Sequence, residues 1–295
     1  AFRIADVFGG LVGGIALESL ASIDTDAAFR AVGELVARAD EVDIPPDPML
    51  LVAGAHAAAM VPAILAMPAR ARDKFWLYEV LGRLCAGAQL DRDALETVQP
   101  RLVSALNVSL DEHAVGDAAF IVAALGCAPG SNTVTRLRAI DTRDDPDLDA
   151  RVAVALSIQG APSARQLARV AGNWHYRLAL YEELSKHGLA QRIPARFRNN
   201  AAFAEVHARD ALQFQQFHEP VPLRDRRAIQ RGAATYYSWQ CSIPDGVTGA
   251  PVRQLVVVGP YGEPITPSRP ATVALVVLKP SVDATLGEVL NSAAR

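Results

Sequence analysis

The chain is poor in the residues that most readily announce a chemistry. Its three cysteines, Cys85, Cys127 and Cys241, are odd in number, far apart and outside any C-x-x-C spacing. That pattern argues against a disulfide framework and a cysteine-built zinc site, and predicts free core thiols in a reducing, cytoplasmic setting. Lysine occurs only at Lys74, Lys186 and Lys279 among 29 basic residues, so arginine carries nearly all the positive charge. A net charge of −3 and a pI near 6.1 disfavour a wholesale electrostatic footprint for nucleic acid or an anionic membrane. No apolar run reaches the ~20 residues that span a bilayer. The nearest, Val7 to Leu17, "VFGGLVGGIAL", is flanked by Asp6 and Glu18 and opens a chain that begins at Ala1. It reads as a first helix with a small-residue contact face in preference to the apolar region of a signal peptide. Also missing are a Gly-rich phosphate loop, a G-x-S-x-G elbow, an H-E-x-x-H pair and a dinucleotide fingerprint, which weighs against the common enzyme classes.

What is present points to helices. Hydrophobic residues make up 51% of the chain, aromatics only 6%, and alanine is abundant, a composition that suits closely packed helix pairs around a sizeable core. From Asp24 to about Ala39, Phe29, Val32, Leu35 and Val36 form one helical stripe, and an aspartate is expected to cap it. Pro45, Pro46 and Pro48 then force extended geometry, after which Met49 to Met67 reads as a helix kinked or broken at Pro62. Further helices are expected over Asp73–Ala86, Asp91–Leu106 with a proline inside, Leu110–Leu125 and Asn132–Ile140. One more should start in the acidic stretch 141–156 and end at Gly160, followed by Ser163–Val170.

The stretch "DTRDDPDLDARVAVAL", beginning at Asp141, places five carboxylates in nine residues. A calcium loop of the EF-hand type needs glycine where Ala150 stands and glutamate where Leu156 stands. The aspartate motif of prenyl-diphosphate enzymes fails at Leu148. A helix N-terminus needs this pattern. Asp145 or its neighbour can accept orphan N–H groups, Pro146 fits the first turn, and Asp147 and Asp149 sit at the positive pole of the helix.

Ala128-Pro129 recurs as Ala161-Pro162, 33 residues on, each time between a helix end and a second amphipathic helix. Units of this size cannot bury their apolar faces alone, so they must stack, and stacking predicts a right-handed α-solenoid of antiparallel helix pairs. The run from Asp144 to Leu156, with Gly160 and a second helix after it, resembles the second half of a HEAT-type or phycobilisome-lyase-type HEAT-like repeat. Arg151 lies near the place of the repeat's arginine, and the likeness extends over about Asp47 to Leu189. The resemblance implies a solenoid with a concave protein-binding face and no single activity.

Beyond Gly188 the pattern changes. Ala201–Glu219 reads as a helix within a connector over 191–232, and "PVPLRDRRAIQRG" reads as basic and irregular. "AATYYSWQCSI", "VRQLVVVG" and "ATVALVVL" predict two or three antiparallel strands between Ala233 and Leu278, and Ser281–Ala294 a terminal helix. The expected organisation is thus mostly α: a helical array over 1–190, the connector, and a small β element over 233–295. Such a sheet must pack on helices or on a partner.

Three groups are candidate sites. Trp174, Tyr176, Arg177 and Tyr181, an aromatic-plus-arginine set at the end of the best repeat, are the expected partner surface of a protein-binding scaffold or assembly factor. His207, Asp210, His218 and Glu219 are candidate acid, base or metal ligands of an alternative enzyme. Asp210 and His218 are about 12 Å apart along a helix, too far to share one ion. His218-Glu219 is similar to the His-Glu pairs that bind di-iron in HEAT-like deoxyhypusine hydroxylases. That family uses several such pairs, whereas this chain has one, with Glu112-His113 in reverse order. Neither a metal nor a cofactor is therefore expected. Arg224, Arg226, Arg227 and Arg231 are candidate anion contacts, the basis of a third reading as a nucleic-acid binder.

Overall fold

The computed structural model describes residues 9–38, 48–66, 76–86, 89–90, 92–111, 115–128, 130–213, 221–245, 248–262, 272–278 and 281–292. The expectations placed on Pro45, Pro46, Glu112, His113, His218 and Glu219 lie outside the described residues. The protein is mostly helical, with a four-stranded antiparallel sheet near its C-terminus. Among the described residues no helix is long and apolar enough to cross a membrane. The chain divides into two compact units, 1–166 and 167–295.

The first unit contains α1 (Gly9–Ala21), α2 (Asp26–Arg38), α3 (Pro48–Leu51), α4 (Val61–Ala66), α5 (Trp76–Ala86) and α6 (Arg92–Asp111). It continues with α7 (Val115–Cys127), α8 (Ser131–Ala139) and α9 (Pro146–Ile158), and its boundary falls inside α10 (Ala164–Gly172). Helices two apart in sequence lie side by side: α3 on α5, α5 on α7, α7 on α9, and α6 on α8. Small residues allow these approaches. A Cβ on Gly126 would come within 3.0 Å of Ala155 Cα on α9, so α7 and α9 meet nearly backbone to backbone. One continuous apolar core, from Leu17 to Leu156 and including Phe29, Leu81, Ile121 and Leu125, runs through these helices.

Local chemistry explains where the helices start. Asp145 is the N-cap of α9: its Oδ1 accepts from the Leu148 N–H at 2.8 Å, and Pro146 occupies the first position. Asp147 pairs with Arg151 one turn on, and Asp149 is buried where it accepts from the Thr142 hydroxyl and the Gln166 amide, each at 2.8 Å. The acidic stretch is a helix start. At α2 the cap is Thr25 instead of an aspartate: the Ala28 N–H donates to Thr25 Oγ1, while Asp24 accepts from the His56 N–H across the turn. The stretch after Pro48 breaks at Gly54, ahead of Pro62. A Cβ there would lie 2.4 Å from Asp24 Oδ1 and 2.8 Å from the Phe29 ring, and Pro62 fits in the first turn of α4.

The second unit contains the end of α10, α11 (Trp174–Lys186), α12 (Asn200–Gln213), β1 (Arg224–Arg231), β2 (Ala234–Pro244), β3 (Pro251–Tyr261), β4 (Thr272–Val277) and α13 (Val282–Ser292). The strands form an antiparallel meander in the order β1-β2-β3-β4. Alternation along β2 and β3 sends Trp239, Cys241, Val256 and Val258 to α12 on one face, and Leu255 and Val257 to α13 on the other. The sheet is thus covered by a helix on each side.

One sequence expectation is corrected here. Arg224–Arg231 is a strand, where an irregular connector was expected, because as an edge strand it is exposed at nearly every position and carries no apolar alternation. The array was expected over 1–190; the division into compact units falls at 166 and places α11 and α12 in the second unit.

Candidate functional site

Asn173 caps α11 by accepting from the His175 N–H, which sets Trp174, His175 and Tyr176 in its first turn. Their rings meet edge to face at 5.5 and 5.1 Å, with Trp174 and Tyr176 half-buried and His175 exposed. Arg177, expected on the same surface, points inward instead and is 4% exposed. Its Nε donates to the Ala171 carbonyl at 2.8 Å, and its Nη1 to the Ala202 carbonyl and Glu205 Oε2, both at 2.9 Å. Its guanidinium lies 5.4 Å from the Phe197 ring. A planar fork with three acceptors around it is a structural clamp between α10, α11 and α12 and offers nothing to a partner. Tyr181 is half-buried, its ring edge-on to Phe203 at 4.7 Å.

Glu205 completes the clamp. Its other oxygen accepts from Arg209 Nε at 3.0 Å, and the Arg209 guanidinium lies 5.9 Å from the Trp174 ring. Burial pushes the Glu205 carboxyl up, but the hydrogen bond and charge of Arg177, and then those of Arg209, hold it below the ordinary glutamate range. These residues form one network of two arginines, one carboxylate and two aromatic rings.

Of the acid–histidine set, His207 and Asp210 are described and lie on α12. His207 is 5% exposed within α12, and Asp210 is half-buried one turn on. No group of three His, Cys, Asp or Glu able to hold a metal ion occurs among the described residues. Beside α12 the Tyr261 hydroxyl is buried without a hydrogen-bond partner among the described residues, and burial, with Tyr237 adding to it, raises its pKa. Only the fold identifies that position, since Tyr261 sits at the end of an apolar strand.

The arginine group is divided between two roles. Arg227 pairs with Asp283 at 3.1 Å near the start of α13. Arg231 donates to the Leu290 carbonyl at 2.6 Å and to Asn291 Oδ1 at 2.8 Å, at the negative pole of that helix. Arg227 and Arg231 thus each make a contact to α13 from β1, and all four arginines are exposed.

The most exposed large apolar side chains are elsewhere. Ile15 on α1, Ile23 in the turn after it and Leu50 on α3 are each more than half exposed, and α1 packs on both α2 and α3. Val277, at the end of β4, is 61% exposed.

These features define the class as a mostly helical protein whose first unit is a packed succession of helices and whose second is an antiparallel sheet between two helices. Comparison with protein-family models, with curated proteins and with solved structures returns no match in any of the three.

Proposed function

We propose that the protein is a protein-binding scaffold or assembly factor, and that its first unit is an irregular, HEAT-like helical solenoid that receives its partner on the N-terminal helices. The exposure of the large aliphatic side chains Ile15, Ile23 and Leu50 is the observation that carries this reading. Three large aliphatic side chains on the first described helices and the turn between them are each more than half exposed, which favours a protein surface packed against them.

A polar regularity supports the stack itself. Gln89 Nε2 donates to the carbonyls of Val52 and Gly54, 37 and 35 residues earlier. Gln159 Nε2 reaches those of Leu125, Gly126 and Ala128, 34, 33 and 31 residues earlier. Gln99 donates to Thr133 across 34 residues, and the Asp24–His56 contact spans 32. Contacts that repeatedly bridge one helix pair's worth of chain are what nearest-neighbour stacking produces.

Affinity capture from the source cells tests the reading. Wild type is compared with an Ile15→Glu, Leu50→Glu variant and with a Trp174→Ala, Tyr176→Ala variant, each first shown to be folded by circular dichroism. Loss of a stoichiometric protein partner in the first variant is expected. Retention there with loss in the second would move the interface to the aromatic turn of α11, and retention in both would overturn the scaffold reading at these surfaces.

A further inference from the structure

The two edges of the sheet are built differently. β1 carries Arg224, Asp225, Arg226, Arg227 and Arg231, and its register is interrupted between Arg224 and Arg227, where Asp225 has a φ of +52°. Charge and an irregularity of this kind prevent another chain from adding to an edge. β4 has neither: Thr272–Val277, "TVALVV", contains no charged residue and no proline, and its pairing with β3 is uninterrupted from Thr272 to Val277. Among the described residues no strand lies beyond it.

The register fixes which backbone groups face outward. The Leu278 N–H donates inward to the Arg253 carbonyl at 2.9 Å. By the alternation of an antiparallel ladder, residues 272, 274, 276 and 278 hydrogen-bond to β3, while the N–H and C=O groups of Val273, Leu275 and Val277 point away from it. Side chains obey the same parity. Val273 and Leu275 pack with the α12 layer, and Ala274, Val276 and Leu278 with the α13 layer. Val277 belongs to the α12 side by parity, yet stands 61% exposed.

We propose that two copies of this chain join through the outer edge of β4, antiparallel about a two-fold axis at Leu275, to make one continuous sheet with four strands from each copy. The outward-facing order Val-Leu-Val reads the same in both directions, so a second copy is its own best complement. In this register Leu275 faces the partner's Leu275, and Val273 faces the partner's Val277. Each facing pair exchanges two hydrogen bonds, which satisfies every outward group of the strand. The exposed Val277 gains an aliphatic neighbour on the α12 side. This pairing is independent of the surface formed by Ile15, Ile23 and Leu50, and it stands whether or not that surface binds a partner.

The test is sedimentation of the intact chain over a wide concentration range, with amide hydrogen exchange measured at both ends of that range. Wild type should reach a dimer. Val277→Lys, which alters an exposed side chain and places a charge against the partner's Val273 twice per dimer, should weaken it by at least about tenfold. Val277→Pro, which removes one outward N–H and no inward one, should weaken it as well. Circular dichroism and the fluorescence of Trp239, buried in the same sheet, serve as the folding control for both. In the dimer the amides of Val273, Leu275 and Val277 should exchange more slowly than on dilution, while those of Ala274, Val276 and Leu278 stay unchanged. A protein that is monomeric at every concentration would overturn the proposal. So would a dimer indifferent to both substitutions, or outward amides equally protected in the dilute monomer, which would mean another segment or partner holds the edge.

Discussion

Arg177 shows how much one side chain can decide. Its fork, on α11, ties two backbone carbonyls and one carboxylate from α10 and α12, so its loss leaves buried acceptors and a partly buried charge without their donor. Breaking a buried pair on one side costs more than the pair itself contributes. Arg177→Ala is therefore expected to destabilise the second unit by about 3 kcal/mol in urea unfolding, the lower end of the range for buried pairs because Glu205 is partly exposed. Lysine should restore little, because a point charge cannot reach three acceptors at once. Glu205 adds a pH signature. Its pKa is lowered in the folded state, so its contribution is fully present above the unfolded value of about 4.3 and is lost as pH falls through the folded one. Stability measured from pH 7 down to pH 3 should drop more steeply for wild type than for Glu205→Gln, with the two curves converging in acid. Cys241 behaves in the opposite sense. Burial pushes its thiol up to about 11, so it should label with thiol reagents only when the sheet opens.

At the scale of elements, helix ends matter as much as helix faces. Gln159, just past α9, places its amide against the carbonyls of Leu125, Gly126 and Ala128, the unsatisfied C-terminal groups of α7. Gln159→Leu keeps the volume and removes the donor. It should cost about 1–2 kcal/mol in thermal or denaturant unfolding, while Gln159→Glu, which brings an acceptor to acceptors, should cost more. This device could not be read in advance, because a glutamine after a helix looks like any solvated polar residue until the neighbouring helix end is known. The start of α9 was legible, since Asp145, Pro146 and Asp147 carry a cap, a pre-set φ and a favourable charge within three residues. Helices with one strong apolar stripe were legible for the same reason. β1 was not, because the period-2 signal records burial on one face and an exposed arginine-rich edge has none. The direction of Arg177 was hidden too: its neighbours Trp174 and Tyr176 mark a surface, and only the acceptors at Ala171, Ala202 and Glu205 draw it inward.

On the scale of the molecule, the two units embody different ways of holding a chain together. In the second, strands that pair with their neighbours in sequence are closed on one face by α12, which precedes the sheet, and on the other by α13, which follows it. In the first, the polar bridges described above span 31 to 37 residues, apart from the Asp149–Gln166 contact, so they tie one helix pair to the one before it. If the first unit is the stack proposed above, it transmits a local defect weakly, since stability is then close to a sum of unit and nearest-neighbour terms. Gly126→Val tests that consequence. The added branch meets the Ala155 backbone on α9, and an overpacked contact of this kind costs about 1–3 kcal/mol. If the unit is a stack, native-state hydrogen exchange should accelerate in α7, α8 and α9 and fade toward α1 and α2. An equal acceleration over all residues from 9 to 166 would show instead that the apolar cluster from Leu17 to Leu156 opens as one body, and the solenoid reading would give way to a single cooperative helical core.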